Sequence, residues 1–311
     1  MDIIRKTEGP GTSSVVTIGV FDGVHLGHQA IMSQVRFAAQ ELGVRSVAVT
    51  FDRNPQELVH PSHPVPYICT LRQKLALIEQ QGIDAALVLP LERKLLDMPA
   101  EQFVTEILHG KLCAVKLVVG ANFRFGKGRA GSAQLLKKMG KELGFEVTAV
   151  PQVMADGRTV SSTAIRRLIM EGKIEFANWM LGRPFSLEGT VVAGEEIGRT
   201  LGYPTANIQP AERQIVPGKG VYAVATSLEG RRWAGVANIG IRPTVGGQKS
   251  SIEVYILDFS GKIYGRELEV DFLHRLRDEV KFPDAEALKA QIASDVQQAK
   301  QMIAREDCNW H

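Results

Sequence analysis

Cysteine is scarce in this chain: three in 311 residues, Cys69, Cys113 and Cys308, far apart and odd in number. That excludes a disulfide framework and fits a reducing compartment, so a cytoplasmic protein is expected. Neither a CxxC pair nor an HExxH occurs, which argues against a zinc site built by the protein itself. No apolar run approaches the roughly 18–20 residues that a membrane span needs. The opening MDIIRKTEGPGTSS lacks the hydrophobic stretch of a secretory signal, so neither membrane nor export is expected. Aromatics, at 6%, are too sparse to suggest a stacking platform for single-stranded nucleic acid. Internal repeats and low-complexity tracts are missing as well. What remains, 44% hydrophobic and 23% charged, is a folded globular composition. The length fits two domains or one large α/β domain.

The net charge of +3 conceals an asymmetry. Residues 1–183 hold 22 Lys+Arg against 17 Asp+Glu, whereas residues 184–311 hold 15 against 17. Arg124, Lys127, Arg129, Lys137, Lys138 and Lys141 follow one another with no acid between them. Such a run suits phosphates or nucleic acid, and on charge alone it suits somewhat better a solvated helix face with its loop.

The first half alternates short buried-strand patterns (14–20, 46–51, 85–89, 115–120, 147–150) with helical ones (28–42, 71–81, 100–108, 133–143). Strands separated by helices of this length imply βαβ units and a parallel sheet covered on both faces, with ligands at the carboxyl edge of the strands. Two more helices are expected at 161–171 and 173–181. Beyond a Gly-Arg-Pro break at 182–184 come closely spaced strands at 188–193, 220–227, 231–239, 251–257 and 267–273. They suggest a small antiparallel sheet or barrel. A last helix, 284–305, carries an apolar stripe at 288, 292, 296, 299, 302 and 303. The expected division is therefore residues 1–183 as a Rossmann-like α/β domain and residues 184–311 as a small β-barrel domain with a C-terminal helix.

Two constellations carry chemistry. The first, GVFDGVHLGH at 19–28, leaves a strand and enters a helix. Gly27 permits close backbone approach, and the helix start offers free N–H groups and a positive dipole end. His25 and His28 are then suited to stabilise charge on a phosphate under in-line attack. Further on, Asn122 follows a strand end, Phe123 and Phe125 are available to pack around an aromatic ring, and Lys127 and Arg129 supply phosphate donors. Ser161, Ser162 and Thr163 precede Arg166 at a helix start, again with donors for phosphate oxygens. The second constellation is GRTLGYPTANI at 198–208. Gly198 and Gly202 punctuate a loop and Pro204 stiffens it. Thr205 and Asn207 share a face if the stretch is extended, a hydroxyl and an amide oxygen suited to Mg²⁺.

TIGVFDGVHLGH, VVGANFRFGKGRAG (118–131) and VSSTAIRRLI (160–169) resemble the adenylyl-transferring module of the bacterial bifunctional riboflavin kinase/FAD synthetase family. PTAN, VANIGIRPTVGG (236–247), SIEVYILDF (251–259) and RLRDEVKF (275–282) resemble its riboflavin kinase module, in the same order. The resemblance spans residues 14 to 303, nearly the whole chain. It implies an enzyme that phosphorylates riboflavin with ATP to FMN and then adenylylates FMN with a second ATP to FAD, releasing pyrophosphate.

By that likeness Glu253 is the general base for the ribityl hydroxyl, and Thr205 and Asn207 hold the Mg²⁺ of ATP. Gly198, Gly202, Pro204, Asn238, Thr244, Arg275 and Arg277 line the kinase site. His25 and His28 are the catalytic pair of the adenylyl-transfer site. Gly19, Phe21, Asp22, Gly27, Asn122, Lys127, Arg129, Ser161, Ser162, Thr163 and Arg166 bind its ATP and phosphates. The expected small molecules are riboflavin, FMN and ATP, with Mg²⁺ as cofactor and FMN and FAD as products. Neither nucleic acid nor a membrane is expected; the sequence leaves the oligomeric state open, a monomer with transient self-association being one option.

Two positions depart from the family pattern. Asn54 stands where many members carry His, and Ser132 where an acid is common. His60, His63, His109, His274 and His311 are expected to be structural or solvent-facing. A nucleotidylyltransferase with another phosphate acceptor would lack a use for PTAN and Glu253, and a flavin-storage protein a use for His25, His28 and Glu253.

Overall fold

The computed structural model describes residues 1–4, 12–59, 62, 64–194, 198, 201–244 and 247–306, with backbone alone for 241–244, 247–250, 305 and 306. Cys308, His60, His63 and His311 lie outside the described residues. The chain divides into two compact units. One comprises residues 1–65 and 71–161, the other 66–70 and 162–311.

In the first unit, strands β1 (Asp2–Ile4), β2 (Ser14–Ile18), β3 (Arg45–Phe51), β4 (Ala85–Leu89), β5 (Ala114–Gly120) and β6 (Glu146–Val150) form one sheet in the order β1-β4-β3-β2-β5-β6. Every described pairing within it is parallel. The sequence SVVTI of β2 is buried at all five positions, as a strand covered on both faces must be. Helix α1 (Leu26–Leu42) turns Met32, Val35, Ala38 and Ala39 onto one face of the sheet. It stops at Gly43, whose φ of 63° lets its N–H return to the Ala39 and Gln40 carbonyls. Ile78 of α2 (Leu71–Gln80) joins the same apolar cluster. The other face is covered by α3 (Ala100–Phe103), its π-helical continuation Val104–Lys111, and α4 (Ala133–Leu143).

The three-residue β1 was not expected from the sequence, because DII is too short to show a period. The basic segment also has its explanation here. Lys137, Lys138 and Lys141 are exposed on α4 while Leu136, Met139 and Gly140 are buried, so they form the solvated face of that helix. Ser132 is its N-cap, accepting from the Leu135 N–H at 3.3 Å.

The second unit is a closed six-stranded barrel of β7 (Phe185–Val192), β8 (Ala206–Pro210), β9 (Gly220–Leu228), β10 (Arg231–Thr244), β11 (Gly247–Ile256) and β12 (Glu267–Arg277), in the order β7-β8-β11-β10-β9-β12. Its pairings are antiparallel. Alternation along β9 assigns the two faces. Tyr222 and Phe185 pack their rings on Phe272, whereas Val221, Ala223 and Ala225 meet Ala299 and Ile303 of α7 (Ala285–Glu306). The helices α5 (Ser162–Met170) and α6 (Ile174–Leu181) pack within this unit. Asn178 of α6 donates to the Phe272 carbonyl at 2.8 Å and accepts from the Phe185 N–H at 2.7 Å. Residues 66–70 belong here too: Tyr67 N–H donates to Arg213 O, and Thr70 Oγ1 donates to Glu188 Oε2, both at 2.8 Å.

Candidate functional sites

At the carboxyl edge of the parallel sheet, residues 19–25 make a tight turn between β2 and α1. Phe21 and Val24 both take positive φ (51° and 38°), which non-glycine residues rarely do. Gly19 is required by this geometry, since a Cβ there would sit 2.7 Å from the Phe21 ring. Phe21 is buried and meets His28 edge-on at 5.2 Å between ring centroids. His25 occupies the N-cap position, its carbonyl accepting from the N–H groups of His28 and Gln29. The two imidazoles stack at 3.6 Å with 18° between their planes. A Cβ at Gly27 would crowd the His25 ring at 3.2 Å, so that glycine leaves room for the imidazole itself.

Burial, followed by His25 and Lys74, holds His28 well below the usual histidine range. Its Nδ1 is buried with no hydrogen-bond partner among the described residues. A stacked histidine pair at a helix start, with His28 held uncharged near neutral pH, is arranged to donate to phosphate oxygens. Asp22 is buried in the same turn.

The other residues expected at this site spread out. Asn122, Lys127 and Arg129 are exposed on the segment after β5. Phe125, expected near an aromatic ligand, is instead a core residue, buried against Phe103 with Phe123 stacked on it at 5.4 Å. Asn54 is buried and caps its own turn, its Oδ1 accepting from Gln56 N–H and its N–H donating to Glu57 Oε1. The serine-rich block divides between the units: Ser161 closes the first, while Ser162, Thr163 and Arg166 lie on α5 in the second.

In the barrel, strand register brings distant motifs into one row. Val192, Asn207, Glu253, Asn238, Val221 and Arg277 are successive cross-strand partners through β7, β8, β11, β10, β9 and β12. Directly paired residues project to the same side of a sheet. On that side lies a cavity of about 320 Å³. Thr205, Asn238 and Glu253 line its polar part, and the Thr205 hydroxyl donates to Glu253 Oε2 at 3.4 Å. Val280, Phe282, Leu288 and Ile292 line its apolar part. The expected stripe of the last helix thus has two uses: Leu288 and Ile292 face the cavity, and Val296, Ala299 and Ile303 pack on the barrel.

Gly198 is at the cavity mouth, accepting from the Tyr203 N–H at 2.8 Å, and Gly202 takes φ 87° in the same loop, which Pro204 closes. Arg277 makes a two-pronged pair with the buried Asp295 of α7 (2.8–3.1 Å), to which Gln291 also donates. Arg275 pairs with Asp278 at 2.7 Å and does not line the cavity. Thr244 ends β10 opposite Gly247; its side chain lies outside the described residues. His274 Nδ1 is 3.7 Å from Glu175, and His109 is exposed.

The FAD synthetase family model matches residues 9–164, and the riboflavin kinase family model matches residues 181–303. The bifunctional riboflavin kinase/FMN adenylyltransferase of Pseudomonas fluorescens is 43% identical over 291 residues, 93% of each chain. The chain belongs to the bifunctional riboflavin kinase/FMN adenylyltransferase family. The Escherichia coli K12 member of the family is 38% identical over 302 residues, 97% of this chain and 96% of that one. A solved structure from Streptococcus pneumoniae, described as a macrolide-efflux protein, matches with a TM-score of 0.89 at 30% identity, covering 96% of this chain and 99% of its own. Among the described residues no helix of this family member is long and apolar enough to cross a membrane.

Proposed function

We propose that this chain makes both flavin cofactors. The second unit transfers the γ-phosphoryl group of ATP to riboflavin, giving FMN. The first then transfers the adenylyl group of another ATP to FMN, giving FAD and pyrophosphate. Functionally we divide the chain at 183/184, although residues 162–183 pack with the barrel. The observation that carries the reading is the cross-strand pair Glu253–Asn238, with Thr205, lining a largely apolar cavity.

An alcohol attacking a γ-phosphate must lose its proton, and Glu253 is the carboxylate at the polar end of that cavity. The apolar end, against Leu288 and Ile292, suits a flat tricyclic ring. Mg²⁺ belongs beside Thr205 and Asn207, hard oxygen donors next to a carboxylate; bound there it would shield triphosphate charge. FMN phosphate, by contrast, is largely a dianion at neutral pH and needs no strong base. The histidine pair fits that demand: it stabilises the α-phosphate under attack, with Gly19, Phe21, Asp22 and Gly27 shaping the turn. Asn122, Lys127, Arg129 and Ser161 of the same unit complete the phosphate contacts, and for Ser162, Thr163 and Arg166 that role rests on the family likeness alone. In the kinase, Gly198, Gly202 and Pro204 form the nucleotide loop. Asn238 and Thr244 play supporting parts, and Arg275 and Arg277 hold the flavin-side segment. The enzyme works in the cytoplasm.

Incubating the purified chain with riboflavin, ATP and Mg²⁺ and separating the flavins tests the reading. FMN appearing first and FAD after it is the expected result. FMN alone refutes adenylyl transfer, and neither product refutes both steps.

A further inference from the structure

Lys74 plays no part in the chemistry above, yet it is one of the few buried charged residues of the first unit, only 6% exposed. It sits in the first turn of α2, and its Nζ donates to two backbone carbonyls, Phe51 at 2.7 Å and Val20 at 3.2 Å. Phe51 ends β3, and Val20 lies two residues past the end of β2. The ammonium therefore bridges the carboxyl ends of two neighbouring parallel strands, at the edge where ligands bind in such sheets.

Val20 directly precedes Phe21, whose positive φ must be imposed by its surroundings. Three ties impose it. Lys74 and Thr50 Oγ1 (3.1 Å) both donate to the Val20 carbonyl, and Gln29 Nε2 donates to the Val24 carbonyl at 2.9 Å. Phe21 in turn sets its ring against His28. A chain of direct contacts thus runs from the ammonium to the histidine pair. Charge follows the same route. Two imidazolium rings stacked at 3.6 Å would repel, and burial above all, then His25 and lastly Lys74, keeps His28 uncharged near neutral pH. Asp22 is the other buried ionisable group of this turn.

We propose that Lys74 is a positioning residue of the adenylyl-transfer site: its buried ammonium ties the strained turn before Phe21 to the end of β3 and places a positive charge at the strand ends from which that turn leaves. The proposal rests on the adenylyl-transfer reading of that site. Holding the two imidazoles in one orientation before substrate arrives is the preorganisation that stabilises a developing phosphate charge.

The test uses the whole chain, assayed in one preparation for FMN from riboflavin and for FAD from supplied FMN. Lys74→Met removes both tie and charge, and Lys74→Gln keeps a donor for Val20 but no charge. In both, kcat for FAD formation should fall about thirtyfold, with KM for FMN and the rate of FMN formation within about twofold of the parent. The His28 imidazole, followed by NMR, should titrate at higher pH than in the parent, and Lys74→Arg should restore its titration. A merely structural lysine would lower FAD formation only in step with the unfolding temperature of the first unit and leave the His28 titration in place, which overturns the proposal. So does a Lys74→Met enzyme with parental FAD kcat, and in that case the adenylyl-transfer reading still stands. A parent enzyme that makes no FAD from FMN refutes that reading and the Lys74 assignment with it. Should Lys74→Met fail to fold, Lys74→Gln carries the same comparison.

Discussion

The two sites solve different charge problems on different sheets. In the first unit, stacked histidines and a buried lysine gather at the carboxyl edge of a parallel sheet. In the second, a carboxylate with hydroxyl and amide neighbours stands on a barrel wall beneath α7. Uncharged riboflavin offers an alcohol that must be deprotonated, whereas FMN offers a phosphate already charged. In our proposal Glu253 serves as the base in the first case, and the histidine pair with Lys74 serves the second. The net charges of residues 1–183 and 184–311, positive and mildly negative, follow the same division.

The comparison breaks most sharply if one substitution silences both steps. Glu253→Gln should lower FMN formation by about a thousandfold, the range for a lost general base, and leave FAD formation from supplied FMN intact. His28→Ala should do the reverse, lowering FAD formation by about a hundredfold or more. Separating the flavins after each reaction checks both, and parallel losses would mean that the two sites are not independent.

A smaller effect separates cavity wall from chemistry. Asp295 is buried and grips Arg277 with two oxygens, fixing α7 against the row that contains Glu253. Removing one partner of such a pair leaves a partly buried charge, at a cost of about 3 kcal/mol. Asp295→Asn should therefore lower the unfolding temperature of the barrel unit and raise KM for riboflavin about tenfold. kcat for FMN formation and all FAD formation should change less than twofold. A fall in kcat with KM unchanged would place Asp295 in the chemical step instead.

Much of this was legible in the sequence, for physical reasons. Strands buried on both faces are apolar runs, so β2 to β6 stood out, and α4 matched its expected limits because Ser132 and Gly144 mark its two ends. The barrel strands were found short. β10 and β11 run past their apolar centres into polar ends, and β8 was hidden by its loop-like PTAN start. His25, His28 and Glu253 were recognisable as motif residues. Lys74 was not, because a lysine in LRQKLALIEQ has the pattern of a solvated helix face, and only the packing of α2 against the strand ends buries it. The same limit hid the second use of α7: periodicity reveals an apolar stripe, not which part of it faces a cavity. It also misplaced Phe125, since an aromatic ring near a strand end fits a core as well as a ligand.

The smallest predicted effect concerns stability. His28 is held well below the usual histidine range in the folded chain, chiefly by burial, whereas unfolding restores ordinary behaviour. Below about pH 6.5 the unfolded chain therefore binds a proton that the folded one refuses, and stability must fall with pH from there towards the folded value. Above that pH both states are uncharged and the contribution is flat. All five tyrosines, with Trp179 and Trp233, belong to the barrel unit. Tryptophan emission thus follows that unit, while circular dichroism follows both. In urea titrations at pH 7.5 and 5.5, the acid loss should appear in the dichroism transition and spare the tryptophan transition. His28→Gln should reduce it in the first and leave the second unmoved. An acid loss that is equal in parent and variant would mean that the histidine pair is not the acid-sensitive element of its unit.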